Sequence, residues 1–224
     1  MSSEFYRQYL DLLDSIEHDD VDVQEADHTD EIEFDESDSF EEVIQKIVKD
    51  ERNRIGTGGN RETWHHPFDK RLVIKVAKCR EDKKVRTYEE CALRNVWEYL
   101  VWHKVNSENL PEKEHLMPCM DIHPKGEWLT MFKGERLPTD SSVDIKGDME
   151  WVGDRSKDNF RVKDGNTYII DYGTEKAMQH LDLPMDLNSG IALLARILKS
   201  ENKPVNHPNY GKSTPHPDPF ETRD

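Results

Sequence analysis

Apolar positions along the chain fall into short periodic runs set between charged stretches, and their periods divide the sequence into elements. Phe5, Tyr9, Leu12, Leu13 and Ile16 recur at helical spacing and predict a short amphipathic helix over 5–16. Over 17–38 acidic residues dominate, which reads as a disordered or loosely attached linker, a solvated spacer rather than an acidic interaction tail. Ser39 then opens a cleaner helix: Glu42 completes a capping box, and Phe40, Val43, Ile44, Ile47 and Val48 make one apolar face suited to packing on a sheet. A glycine-bearing stretch at 55–64 and a polar turn at 65–70 lead into a β-prone run at 72–77. Few helix breakers interrupt 85–105, which predicts a long helix. Strands are expected at 116–120 and 128–132. Two more, at 160–162 and 167–170, flank Lys163-Asp164-Gly165-Asn166, whose Asp-Gly is a strong hairpin signal. Beyond Gly173 one helix is expected, over about 186–199, with Leu187, Ile191, Leu194, Ala195 and Leu198 on one face. The end, with Pro204, Pro208, Pro215, Pro217 and Pro219, reads as a disordered tail.

Composition narrows the class. A chain of 224 residues holds one core domain with tails, divisible into two small lobes. Apolar residues make up 34% and charged residues 35%, with a net charge of −16, so association with nucleic acid is disfavoured. No apolar run reaches the roughly 20 residues that span a bilayer, and Met1-Ser2-Ser3-Glu4-Phe5 does not read as a signal peptide. A cytoplasmic protein is expected. Cys79, Cys91 and Cys119 are odd in number and form neither a zinc pattern nor a disulfide framework. The ten histidines show no metal-binding spacing; His65, His66, His123, His207 and His216 sit in turns beside prolines, and no nucleophile elbow appears.

Chemistry concentrates in 153–173. A hairpin over 160–170 brings its ends together, so Asn159 before it and Asp171 after it lie side by side, with Asp154 a few residues upstream. Hard oxygen donors, few in number and leaving room for water and phosphate, suit Mg²⁺. Upstream, Gly56, Gly58 and Gly59 would let backbone N–H groups approach a phosphate, because no Cβ blocks them. Lys75, in Val73-Ile74-Lys75, would be an ordinary solvent-facing strand lysine if taken alone.

In this order the chain resembles the protein-kinase-like superfamily: a glycine-rich hairpin, a Val-Ile-Lys strand, a helical Glu, Asp154-x4-Asn159, and Asp171-Tyr172-Gly173. The resemblance covers 51–175. It implies an α+β, two-lobed fold: an antiparallel sheet with one long helix in the N-terminal lobe, and a reduced, mostly helical C-terminal lobe. The implied divisions are an acidic segment at 1–38, the N-lobe at 39–135, the C-lobe with the catalytic hairpin at 136–200, and the tail at 201–224. By resemblance, Gly56, Gly58, Gly59 and Arg61 face the phosphates of ATP, Lys75 holds the α- and β-phosphates, and Glu98, rather than Glu89 or Glu90, orients Lys75. Val73 would touch adenine, and Met131 would begin the hinge that hydrogen-bonds it; both also read as plain core. Asn159 and Asp171 would bind Mg²⁺, and Asp154 would position the attacking hydroxyl or accept its proton.

The departures are specific. Val152-Gly153-Asp154 replaces His-Arg-Asp, Tyr172 replaces Phe, and Arg61 stands at the third glycine. The interval from Phe132 to Asp154 is too short for the long helices of a full protein kinase, and no Ala-Pro-Glu segment follows. The implied function is Mg-ATP phosphotransfer to a protein or small-molecule hydroxyl. Its alternatives are a catalytically inactive kinase-like adaptor whose acidic N-terminal segment meets a basic protein partner, and a structural protein without nucleotide.

Overall fold

A computed structural model of the protein describes residues 32–35, 38–78, 87–138, 150–152 and 156–201. The predicted helix at 5–16, most of the acidic stretch, Cys79, Asp154 and the proline-bearing tail lie outside those residues. Within them the chain is α+β, with a five-stranded antiparallel sheet and several helices.

The first helix among the described residues, α1 (Phe40–Ile47), starts where its cap residues dictate: the Ser39 hydroxyl accepts from the Glu42 N–H, and the Glu42 carboxylate accepts the Ser39 N–H. Phe40, Val43, Ile44 and Ile47 are buried, and Phe40 meets Trp128 edge-on with ring centroids 4.8 Å apart. Each such side chain removed from water contributes about 1.5–3 kcal/mol, enough for four together to dock so short a helix.

The main sheet comprises β1 (Arg54–Thr57), β2 (Arg61–His65), β3 (Leu72–Ala77), β4 (Cys119–Ile122) and β5 (Trp128–Phe132), in the order β1-β2-β3-β5-β4. Its register sets Lys75 between Thr63 on β2 and Leu129 on β5. Between β3 and β4 runs α2 (Tyr88–Ser107). It is buried on most sides, because β3, β4 and β5 lie against it and a later helix covers it as well. Thr87 caps it in a second capping box with Glu90, so the described helix begins at Tyr88 rather than at the expected 85.

The strand expected at 116–120 is displaced to Cys119–Ile122. Pro118 has no N–H to give a ladder, and the residues before it pair elsewhere: Leu116 bridges Ile169 and the Met117 N–H donates to the Ile169 carbonyl at 2.9 Å. That pairing ties the main sheet to a second one, formed by β6 (Glu135–Arg136), β7 (Phe160–Lys163) and β8 (Asn166–Ile169). The β7–β8 turn holds Asp164 and Gly165 at φ 51° and 74°, the left-handed pair that a two-residue hairpin requires and Asp-Gly supplies. β6 was not expected, since two residues carry no periodicity. Nor was α3 (Glu175–His180), too short to show any. The last helix, α4 (Leu187–Ser200), starts from the Asp186 cap and packs on α2. One contiguous apolar core runs from α1 through both sheets to α4.

Candidate functional site

Lys75 is held at the middle of the sheet, 4% exposed, pointing at α2. Its ammonium donates to Glu98 Oε1 at 3.0 Å, to Glu98 Oε2 at 2.9 Å and to the Ile170 carbonyl. Those three acceptors use all three of its N–H groups. Glu98 is fully buried in the middle of α2 and also accepts from Arg61 and, at 3.4 Å, from the Tyr172 N–H. Glu89 and Glu90 play no such part: Glu89 is exposed and Glu90 serves the helix cap.

Arg61, expected to face the phosphates, turns inward. Its guanidinium donates to Glu98, to Asn95 Oδ1 at 3.2 Å and to Asp171 Oδ1. Asn95 in turn donates to the carbonyls of Lys75 and Gly126, at 3.2 and 2.9 Å, and so locks α2 to the sheet. The result is a network of two buried cations, the buried Glu98 carboxylate and the half-exposed Asp171 carboxylate. Burial opposes the Arg61 charge, but Glu98 and then Asp171 outweigh it and raise the guanidinium above its ordinary value. Burial pushes the Lys75 ammonium down, Glu98 pulls it back, and Arg61 adds to the lowering. For Asp171 burial works upward, yet Arg61, Lys75 and Arg94 together hold the carboxyl below its ordinary value.

The Asp171-Tyr172-Gly173 segment is pinned from three sides. The Tyr172 hydroxyl donates to the Met117 carbonyl at 2.7 Å and lies 3.1 Å from Cys119 Sγ. Arg94 donates to the Gly173 carbonyl at 3.1 Å. Gly173 lies against α2 so closely that a Cβ there would stand 2.7 Å from the Arg94 carbonyl oxygen and 2.8 Å from the Glu98 nitrogen. Asn159 reaches the same place through the hairpin, its carbonyl accepting the Ile170 N–H at 2.9 Å. Asp171 keeps 48% of its side chain exposed. No group of three or more His, Cys, Asp or Glu capable of holding a metal occurs among the described residues.

Between the two sheets opens a cleft of about 950 Å³. Lys75, Val73, Met131, Gly56, Thr63 and Ile170 are among its lining, and Val73 and Met131 are at the same time part of the core. Gly58 and Gly59 are not in the wall; the Gly58 N–H closes a turn onto the Arg61 carbonyl at 2.8 Å. His65, His66 and His123 are buried, and His123 Nε2 lies 2.8 Å from Glu41 on α1; none of these residues lines the cleft. Among the described residues no helix is long and apolar enough to cross a membrane. No protein-family model matches the chain, and no curated protein matches it either.

Proposed function

We propose that the chain is a Mg-ATP-dependent phosphotransferase of protein-kinase-like architecture, with a protein or small-molecule hydroxyl as acceptor. The observation that carries the proposal is the buried Lys75–Glu98 pair beside a cleft. Burying an ion pair is costly and rarely stabilises a fold, so its presence suits a positioning role. The strand order β1-β2-β3-β5-β4, with α2 entering between β3 and β4, supports the same architecture, and the cleft lies in the size range of small-ligand sites.

In this proposal Lys75 binds the nucleotide phosphates and Glu98 fixes its direction. A phosphate oxygen replaces the Ile170 carbonyl as one acceptor of the ammonium. Val73 and Met131 bound the base, and Gly56 leaves the wall open beside the phosphates. Asn159 and Asp171 hold Mg²⁺, which neutralises phosphate charge when bound. Asp154, outside the described residues, is assigned the acceptor hydroxyl by sequence alone. Calorimetry of ATP binding with and without Mg²⁺, comparing wild type with Asp171→Ala, tests the proposal. Mg-dependent binding lost in the variant supports it, and absence of ATP binding to the wild type overturns it.

One contact favours a second reading, a nucleotide-binding but catalytically silent module: Arg61 already neutralises Asp171. ATP binding that is indifferent to Mg²⁺ would select it.

A further inference from the structure

Met117 fastens the Ile170–Asp171 stretch at both of its ends. Its N–H donates to the Ile169 carbonyl at 2.9 Å, and its carbonyl accepts from the Tyr172 hydroxyl at 2.7 Å. Between those two bonds lie only Ile170, whose carbonyl accepts from Lys75, and Asp171, whose carboxylate accepts from Arg61. The pair forms a short arch with both feet on one residue of a distant segment. Met117 is itself fixed: it is fully buried and stands one position before Pro118, whose carbonyl accepts the Phe132 N–H of β5 at 3.2 Å.

The foot at Tyr172 consists of one hydroxyl. Tyr172 is fully buried, so a phenyl ring alone would fill nearly the same space, and a hydroxyl enclosed without a partner is costly. Here it is satisfied twice. Its single proton goes to Met117, which leaves Cys119 Sγ, 3.1 Å away, to donate to the phenolic oxygen; the Glu98 carbonyl, at 4.0 Å, is the thiol's remoter acceptor. Burial raises the phenol well above its ordinary value, with Cys119 and Glu98 adding to the effect, so the hydroxyl stays a donor at neutral pH. Without it, that end of the arch is left to the 3.4 Å bond from the Tyr172 N–H to Glu98 and to the Arg94 bond at the Gly173 carbonyl.

We propose that Tyr172 is the positioning residue of Asp171: its hydroxyl, bonded to Met117, sets the direction of the neighbouring carboxylate and keeps it there before any ligand binds. What that carboxylate holds rests on the phosphotransferase reading above; the latch itself does not.

Native-state amide exchange on the full chain tests the latch. In the wild type the amides of Ile170, Tyr172 and Thr174, which donate to Asn159, Glu98 and Tyr172 respectively, are expected to exchange within about tenfold of those at the centre of α2. In Tyr172→Phe they are expected to exchange at least tenfold faster relative to α2, whereas Val43→Ala, a cavity under α1, should speed all of them alike. Where Tyr172→Phe does not fold, Cys119→Ala takes its place; it removes the thiol's bond to the phenol, and at least a threefold difference is expected. Wild-type exchange at these amides more than tenfold faster than at α2 overturns the proposal, as does an unchanged ratio in the variant. Calorimetry of ATP binding on the same samples separates positioning from plain stability. Tyr172→Phe should lose at least fivefold of the gain in affinity that Mg²⁺ confers and Val43→Ala none of it; equal gains in the two variants overturn the positioning role. Absence of ATP binding to the wild type removes the phosphotransferase reading, and the latch then stands or falls on exchange alone.

Discussion

Arg61 and Asp171, 110 positions apart in sequence, are joined by a guanidinium–carboxylate hydrogen bond, and the same guanidinium also holds Glu98. The contact makes Arg61 the counter-charge of the carboxylate that, in the proposed function, holds the metal. Removing it should therefore separate stability from metal affinity. Arg61→Gln is expected to cost about 3 kcal/mol in chemical denaturation, since it breaks a buried pair. Mg²⁺ binding measured by calorimetry should nonetheless tighten, by about tenfold if roughly 1.4 kcal/mol of competition is relieved. Weaker Mg²⁺ binding in the variant would show that Arg61 assists the site instead.

Glu98 is shared by Lys75 and Arg61, so its loss should hurt more than the loss of either cation. Glu98→Gln leaves two buried cations facing a neutral amide. The expected destabilisation is about 3–5 kcal/mol, read as a lowered denaturant midpoint. Lys75→Met alone should cost less, because Arg61 still serves Glu98. A double-mutant cycle on Lys75 and Glu98 should return a coupling of about 0.5–3 kcal/mol; additive effects would mean that the pair does not act as a unit.

Gly173 touches the backbone of α2, and neither partner can swing aside as a side chain could. Gly173→Ala must push the Asp171-Tyr172-Gly173 segment off the helix. Overpacking of this kind costs about 1–3 kcal/mol, and nucleotide binding should fall further than stability does, because Asp171 moves with the segment. Gly59→Ala is the control: a Cβ there meets nothing within 4 Å, so its stability should match wild type.

The acid limb of the stability curve should report the first capping box. Glu42 accepts the Ser39 N–H and, secondarily, its hydroxyl, and these hold its carboxyl below the ordinary 4.5. With the folded value depressed, the unfolded chain binds more protons as pH falls below 4.5, so this contribution is present above that value and lost as pH drops through the folded one. Glu42→Gln keeps an acceptor oxygen but cannot titrate. Its denaturant midpoint should fall less steeply than that of wild type below pH 4.5, and parallel curves would place the acid sensitivity elsewhere.

What the sequence disclosed and what it hid follow from range. Local signals translated directly: the Ser39 capping box, the Asp164-Gly165 turn, the apolar face of α1 and the span of α4 all rest on residues within a few positions of one another. Glu98 was separable from Glu89 and Glu90 because mid-helix apolar neighbours implied burial. Arg61 was not legible, since nothing near it in sequence announces partners on α2 and beyond β8. The same holds for Asn95, an unremarkable helix residue whose amide spans β3 and Gly126, and for β6, which exists only because β7 is there to pair with it. The cleft wall likewise assembles in part from 70–71, 133–136 and 161–163, segments that are unrelated until the two sheets meet.

Cys119 offers a way to read ligand binding without an activity. Burial raises its thiol above the ordinary value, and Sγ lies against the Tyr172 hydroxyl. Cys91 is buried too. In a Cys79→Ser background neither thiol should react with a maleimide at pH 8 while the protein is folded, because both are enclosed and the Cys119 thiolate is suppressed as well. Labelling should then proceed through opening of the core, and where reclosing is fast its rate follows the open population. A ligand that binds the native state alone lowers that population in proportion to 1 + [L]/Kd. Mg-ATP at about a hundred times its Kd should therefore slow Cys119 labelling about a hundredfold. Asp171→Ala should abolish the protection. Labelling that ignores Mg-ATP in the wild type, under conditions where denaturant accelerates it, would mean that the cleft does not take nucleotide.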